Sequence, residues 1–294
     1  MDVVPHHFIC RDNLRLHYVE LTPPNTAAEA TTVVCLPGLT RNGRDFLALA
    51  ERLSSTRRVL ALDGRGRGGS EYAADPKTYR AESDLDDVLQ FLTVAGVRRC
   101  VVIGTSFGGM MGLGVAAFRP ATVAGIVLND IGPHIGWKAV LELIKAMAIE
   151  RPLTTWNDAA AELKRIIPEL GLQTDERWMQ AAKATWRESA DGKLRMDFDV
   201  RLARAWQRRG VGEHDLWALW EGVRDIPSLL VRGSLSRVLT ADTVDRMKAA
   251  NPQLTTVEVP HVGHAPSLTE PEAFGAIEAF LAAVDARERE LGIA

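Results

Sequence analysis

The stretch Gly104-Thr105-Ser106-Phe107-Gly108-Gly109 constrains what this chain can fold into more than any other. Before it, Arg99-Cys100-Val101-Val102-Ile103 is short, apolar and rich in β-branched residues, the pattern of a buried strand. After it, residues 110–118 (MMGLGVAAF) are small and apolar, the pattern of a helix packed closely on a sheet. A serine with a glycine two residues away on each side therefore stands at a strand-to-helix joint. That is the context in which G-x-S-x-G presents a hydroxyl on a sharp turn. Small neighbours relieve clashes in such a turn, and the helix N-terminus sets free N–H groups beside the serine. Outside that context the same residues would read as a plain Gly/Ser turn.

The remaining segments supply the sheet that this joint requires. Residues 6–20 read as a hairpin turning at Asp12-Asn13, and residues 22–30 as a Pro/Thr/Ala linker. Residues 31–36, 58–63, 123–130, 227–232 and 255–259 read as strands, with helices between them; residues 83–95, for example, carry Leu85, Val88, Leu89 and Leu92 at helical spacing. This alternation predicts an α/β fold with a mostly parallel sheet covered on both faces. The rhythm breaks at Pro133, and from there to Gly222 no convincing strand is expected, only helical segments. All seven tryptophans fall in this stretch, where most are expected to pack and one to three to line a pocket. The expected organisation is thus a core of residues 1–132 and 223–294 with a helical cap, or lid, inserted at 133–222.

Charge and cysteine usage narrow the partners. A net charge of -3 gives no basic footprint for nucleic acid. No apolar run approaches membrane-spanning length, and no basic segment followed by an apolar run opens the chain, so neither a membrane anchor nor a signal peptide is expected. Three cysteines are an odd number, and Cys35 and Cys100 fall in expected buried strands, which points to a reduced, cytoplasmic setting. No Cys/His set has metal-ligand spacing. Gly64-x-Gly66-x-x-Gly69 after a strand formally matches a dinucleotide fingerprint, but Ser70 to Pro76 opens no apolar helix on which a phosphate could rest. No cofactor and no metal is expected. Oligomeric state, monomer or homodimer, is left open.

Four motifs in chain order resemble the α/β-hydrolase superfamily, and the resemblance covers nearly the whole chain. Leu36-Pro37-Gly38-Leu39 resembles the oxyanion loop, and Asp63-Gly64-Arg65-Gly66-Arg67-Gly68-Gly69-Ser70 the D-x-R-G-x-G-x-S loop. Gly104 to Gly108 resembles the nucleophile elbow, and Val262-Gly263-His264-Ala265-Pro266 the loop of the catalytic histidine. The resemblance implies an eight-stranded sheet with Ser106 as nucleophile and His264 as general base. It also implies the backbone N–H groups of Leu39 and Phe107 as the oxyanion hole. His261 competes with His264, but Pro260 before it suggests a strand end. Trp137 and Arg41 are expected in the substrate pocket.

The acid departs from the family pattern. Relatives commonly carry an aspartate four positions past the glycine that ends the strand at 227–232, and here Arg237 stands there. An arginine cannot accept the imidazole N–H, and its charge opposes formation of the imidazolium. Three readings stay open. Asp130 could serve, as the equivalent carboxylate does in some haloalkane dehalogenases; the chain could be impaired and act in binding or sensing; or Asp242 or a cap residue could reach in. The expected function is hydrolysis of a small, fairly apolar carboxylic ester or lactone. Cofactor-free perhydrolysis and acyl transfer are alternatives on the same residues.

Overall fold

Buried, β-branched segments form the middle of a single large sheet. The computed structural model describes residues 2–23, 30–149, 151–209 and 216–293, so the linker expected at 22–30 lies largely outside the described residues. The first half of the chain forms β1 (Val4–Ile9), β2 (Arg15–Leu21), β3 (Thr32–Leu36), α1 (Leu47–Leu53), β4 (Val59–Asp63), α2 (Ala81–Val94), β5 (Cys100–Thr105), α3 (Phe107–Phe118) and β6 (Val123–Asn129). An insert follows, with α4 (Trp137–Met147), α5 (Trp156–Ile166), α6 (Asp175–Thr185), β7 (Trp186–Glu188), β8 (Leu194–Met196), α7 (Val200–Arg209) and α8 (Trp217–Gly222). The chain closes with β9 (Ser228–Gly233), α9 (Ala241–Ala250), β10 (Thr255–Val259) and α10 (Pro271–Glu290).

The eight-stranded sheet runs β1-β2-β4-β3-β5-β6-β9-β10. β2 is antiparallel to both of its neighbours, β1 and β4, whereas β3, β4, β5, β6, β9 and β10 are parallel to one another. Every residue of β4 and β6 is buried, as strands covered on both faces require. One face carries α1 and α10 through Leu49, Leu53, Phe274 and Ile277. The other carries α2, α3 and α9 in a core that runs without a break into Trp178, Trp186, Trp206 and Trp220 of the insert. Because six strands are parallel, the loops after β3, β4, β5, β6, β9 and β10 all emerge at one sheet edge, where ligands of open α/β sheets bind.

The insert departs from the sequence expectation in one respect. Trp186–Glu188 and Leu194–Met196 pair as an antiparallel hairpin, with Leu153 bridged to Leu194, so the segment is not purely helical. Three-residue strands are too short to show a period of two, and the sequence carries no other signal for them. Four of the tryptophans (178, 186, 206 and 220) are buried, in keeping with packing for most of them.

Candidate active site

Ser106 follows β5 and caps α3 with φ 51° and ψ -116°, a left-handed-side conformation that a non-glycine residue holds only when its surroundings compel it. The surroundings are visible in the flanking glycines. A Cβ on Gly108 would lie 1.9 Å from the Leu36 carbonyl oxygen, and one on Gly104 would lie 2.4 Å from the Gly108 carbonyl oxygen. Backbone therefore touches backbone on both sides of the serine, and the turn admits only glycine at those two places. As the first residue of α3, Phe107 has a backbone N–H with no intrahelical acceptor. The Gly38 backbone of the loop after β3 lies close by, since a Cβ there would sit 3.9 Å from Ser106 Cβ.

Asp130, the residue after β6, is the second non-glycine at positive φ on this edge, with φ 54°. Its carboxylate is fully buried and accepts three hydrogen bonds: Oδ1 from the Gly233 N–H at 2.9 Å, and Oδ2 from Ser236 Oγ at 2.5 Å and His264 Nδ1 at 2.7 Å. Such a carboxylate is tolerated inside a protein because donors replace its water. His264 is 12% exposed at its side chain, in the loop after β10. Asn129 ties that loop to the serine turn, donating from Nδ2 to the Pro266 carbonyl at 2.9 Å and to Thr105 Oγ1 at 3.0 Å. The Ser106 N–H in turn donates to the Asn129 carbonyl at 3.0 Å.

The sequence profile of the alpha/beta hydrolase family matches residues 33–277, most of the chain. The chain belongs to the α/β-hydrolase family. A 3-hydroxybutyrate-oligomer hydrolase from Cupriavidus necator is 32% identical over 87% of this chain and 89% of its own length. A 2-(acetamidomethylene)succinate hydrolase from Mesorhizobium japonicum is 26% identical over 92% of this chain and 94% of its own. Among solved structures, an alpha/beta hydrolase from Novosphingobium aromaticivorans superposes with a TM-score of 0.89 at 35% identity, covering 95% of this chain and 98% of that one.

In this α/β-hydrolase the other expected site residues fall in distinct places. Arg237 is 63% exposed at its side chain and pairs with Glu142 of α4 at 2.9 Å, so it does not occupy the acid's place beside His264. Asp242 is exposed in the first turn of α9. His261 is also exposed, its N–H donating to Ser234 Oγ. Trp137 is half-buried and lines a cleft of about 390 Å³ together with His134, Lys138 and Arg237. Arg41 donates to Asp45 and, from Nη1 at 2.5 Å, to Thr185 Oγ1, which fastens the loop after β3 to the insert. Ser236 and Asn129 escaped the sequence reading; both hold the Asp130–His264 region through contacts that exist only once β6, β9 and the histidine loop lie side by side.

The glycine-rich loop after β4 is a buried electrostatic frame. Arg65 bridges Asp87 at 2.7 Å and Asp12 at 2.9 Å, and Arg67 pairs with Asp84 at 2.7 Å. Asp63 accepts from His17 Nδ1 at 2.8 Å and from the N–H groups of Gly43 and Gly69. A Cβ on Gly68, at φ 55°, would lie 2.3 Å from an Asp63 carboxylate oxygen, which is why glycine stands there. Cys10, Asp12 and Asp87 come together as a possible ligand set, but the Arg65 guanidinium already supplies the cation. Burial, with Asp87 alongside, also pushes the Cys10 thiol up, away from the thiolate a metal would need.

Proposed function

We propose that this α/β-hydrolase is a serine hydrolase that cleaves a small carboxylic ester or lactone through an acyl-enzyme on Ser106. The observation that carries this reading is the 2.7 Å contact between His264 Nδ1 and the buried Asp130 carboxylate, on the same sheet edge as the strained Ser106 turn. A histidine that donates Nδ1–H to a carboxylate keeps Nε2 as a base. In the first step Ser106 Oγ bonds to the ester carbonyl carbon while Nε2 takes the hydroxyl proton. The N–H groups of Leu39 and Phe107 hold the oxyanion. The C–O bond to the leaving alcohol then breaks, and Nε2 returns the proton to that alcohol. Water repeats the sequence in place of serine, releasing the acid and restoring the hydroxyl.

Residues 133–222 act as a lid over this edge and set the substrate's size. A 3-hydroxybutyrate oligomer is the substrate named for the relative from Cupriavidus necator, which supports an ester over other acyl groups. The Asp130 carboxylate at His264 supports catalysis over an impaired, purely binding role. The three cysteines are free and buried, which fits a reducing, cytoplasmic setting. Ser106→Ala should abolish both p-nitrophenyl acetate hydrolysis and labelling by a fluorophosphonate. Labelling that persists in Ser106→Ala would overturn the assignment. A panel of p-nitrophenyl esters, lactones and short 3-hydroxybutyrate oligomers then ranks the substrates.

A further inference from the structure

Two oxyanion donors must converge on a single oxygen, yet Leu39 and Phe107 belong to different elements with no covalent link between them. A displacement of a few tenths of an ångström at either is enough to weaken a donor aimed at developing charge. Arg67 touches both. Its Nε donates to the Leu39 carbonyl at 2.5 Å, and its guanidinium carbon lies 5.7 Å from the centroid of the Phe107 ring, within cation–π range. The same group is anchored from behind, through Nη1 to Asp84 Oδ1 at 2.7 Å and to the Arg65 carbonyl at 3.1 Å. Arg67 is 2% exposed and the Asp84 carboxylate 6%, so water cannot take over these bonds.

Two further features make this contact directional rather than mere filler. Behind the donors, Pro37, Phe107, Gly108, Arg67 and Asp84 line a small, partly open cavity of about 20 Å³. The Arg67 bonds thus act beside a direct backbone contact, since a Cβ on Gly108 would lie 1.9 Å from the Leu36 carbonyl oxygen. Gly64 also makes room for the guanidinium, because a Cβ at that position would lie 2.7 Å from Arg67 Nη1. The chain has left open the space through which this side chain folds back under the oxyanion loop.

We propose that Arg67 is a positioning residue for the oxyanion hole, setting the Leu39 and Phe107 backbones relative to each other. This rests on the serine-hydrolase reading above. The test compares Arg67→Met, Arg67→Lys and Gly64→Ala with Arg57→Met. The last breaks a buried ion pair with Asp285, across the sheet from the site. Rates on p-nitrophenyl acetate are divided by the sites titrated with fluorophosphonate, and the inhibition constant of a boronic acid, which mimics the tetrahedral intermediate, is measured alongside. Arg67→Met should lower kcat about 10- to 100-fold, less than deletion of an oxyanion donor, with KM nearly unchanged. The boronate constant should rise in the same proportion. Arg67→Lys and Gly64→Ala should shift both values the same way by less, and they carry the test if Arg67→Met fails to fold. Arg57→Met should lower Tm while kcat per titrated site holds. Wild-type-like kcat and boronate binding in the Arg67 and Gly64 variants, or a loss confined to KM, would overturn the proposal while leaving the hydrolase reading intact. A wild-type protein that neither labels nor turns over ester would overturn both.

Discussion

At the scale of residues, the acid question turns on burial and donors. Asp130 is fully buried and collects three donors, one of them His264 Nδ1, whereas Arg237 spends its charge on an exposed pair with Glu142. Exposed pairs of this kind contribute little, roughly 0–1 kcal/mol. Arg237→Asp should therefore change turnover by less than about 3-fold, as measured on p-nitrophenyl acetate, because it neither supplies nor removes the acid. A large gain would mean that the post-β9 position is the working one after all. The sequence named Asp130 among three open readings and could go no further. Which carboxylate reaches His264 depends on β6, β9 and β10 being successive neighbours, a fact of sheet order that no local pattern encodes. Ser236 and Asn129 were illegible for the same reason, whereas Ser106 and its glycines were legible because the elbow is a local, sterically dictated turn.

At the scale of elements, the insert is tied to the sheet edge at several places. The stretch between β8 and α7 docks on the loops after β3 and β4. There the Asp197 carboxylate takes Arg44, and Asp199 takes Tyr79 Oη at 2.6 Å and Arg201 at 2.9 Å. On the histidine side, the Gly263 N–H donates to the Glu169 carbonyl at 2.6 Å. Burial pushes the Asp199 carboxyl upward, but the hydrogen bonds from Arg201 and Tyr79 outweigh it and hold the group below its usual range. A depressed folded-state value means that the carboxylate stabilises the fold above the ordinary aspartate range. That contribution fades as pH falls through and below this range. Asp199→Asn should cost about 1–3 kcal/mol at pH 7, read by urea denaturation, and the gap to wild type should close toward pH 3. A gap that stays constant with pH would show that ionisation of Asp199 is not what docks the insert. Among the described residues the helices of the insert were legible from composition. The hairpin was not, since three residues per strand carry no periodicity.

At the scale of the whole molecule, one sheet covered on two faces does two jobs. Its buried strands supply the core, and its parallel direction gathers six loops on one edge, where Ser106, Asp130 and His264 lie. That much was legible in advance, because strands and helices alternate through both parts of the core and buried parallel strands leave continuous apolar runs. The far face is fastened by ions as well: Arg57 and Asp285 pair at 2.9 Å, both nearly buried, and Asp285 also accepts from the Thr31 N–H. Asp285→Ala would strand a buried guanidinium and should cost about 3–5 kcal/mol of stability, seen as a lower midpoint in urea, with activity per folded molecule unchanged. Loss of activity ahead of unfolding would contradict this separation of scaffold from site.

The central claim, that Asp130 orients His264 for attack by Ser106, is tested most directly by kcat of Asp130→Asn on p-nitrophenyl acetate, with circular dichroism to verify the fold. An amide there offers the wrong partner to Nδ1–H, and turnover should fall about 10³- to 10⁴-fold while the protein stays folded. Turnover within about 10-fold of wild type in the folded variant would contradict the account.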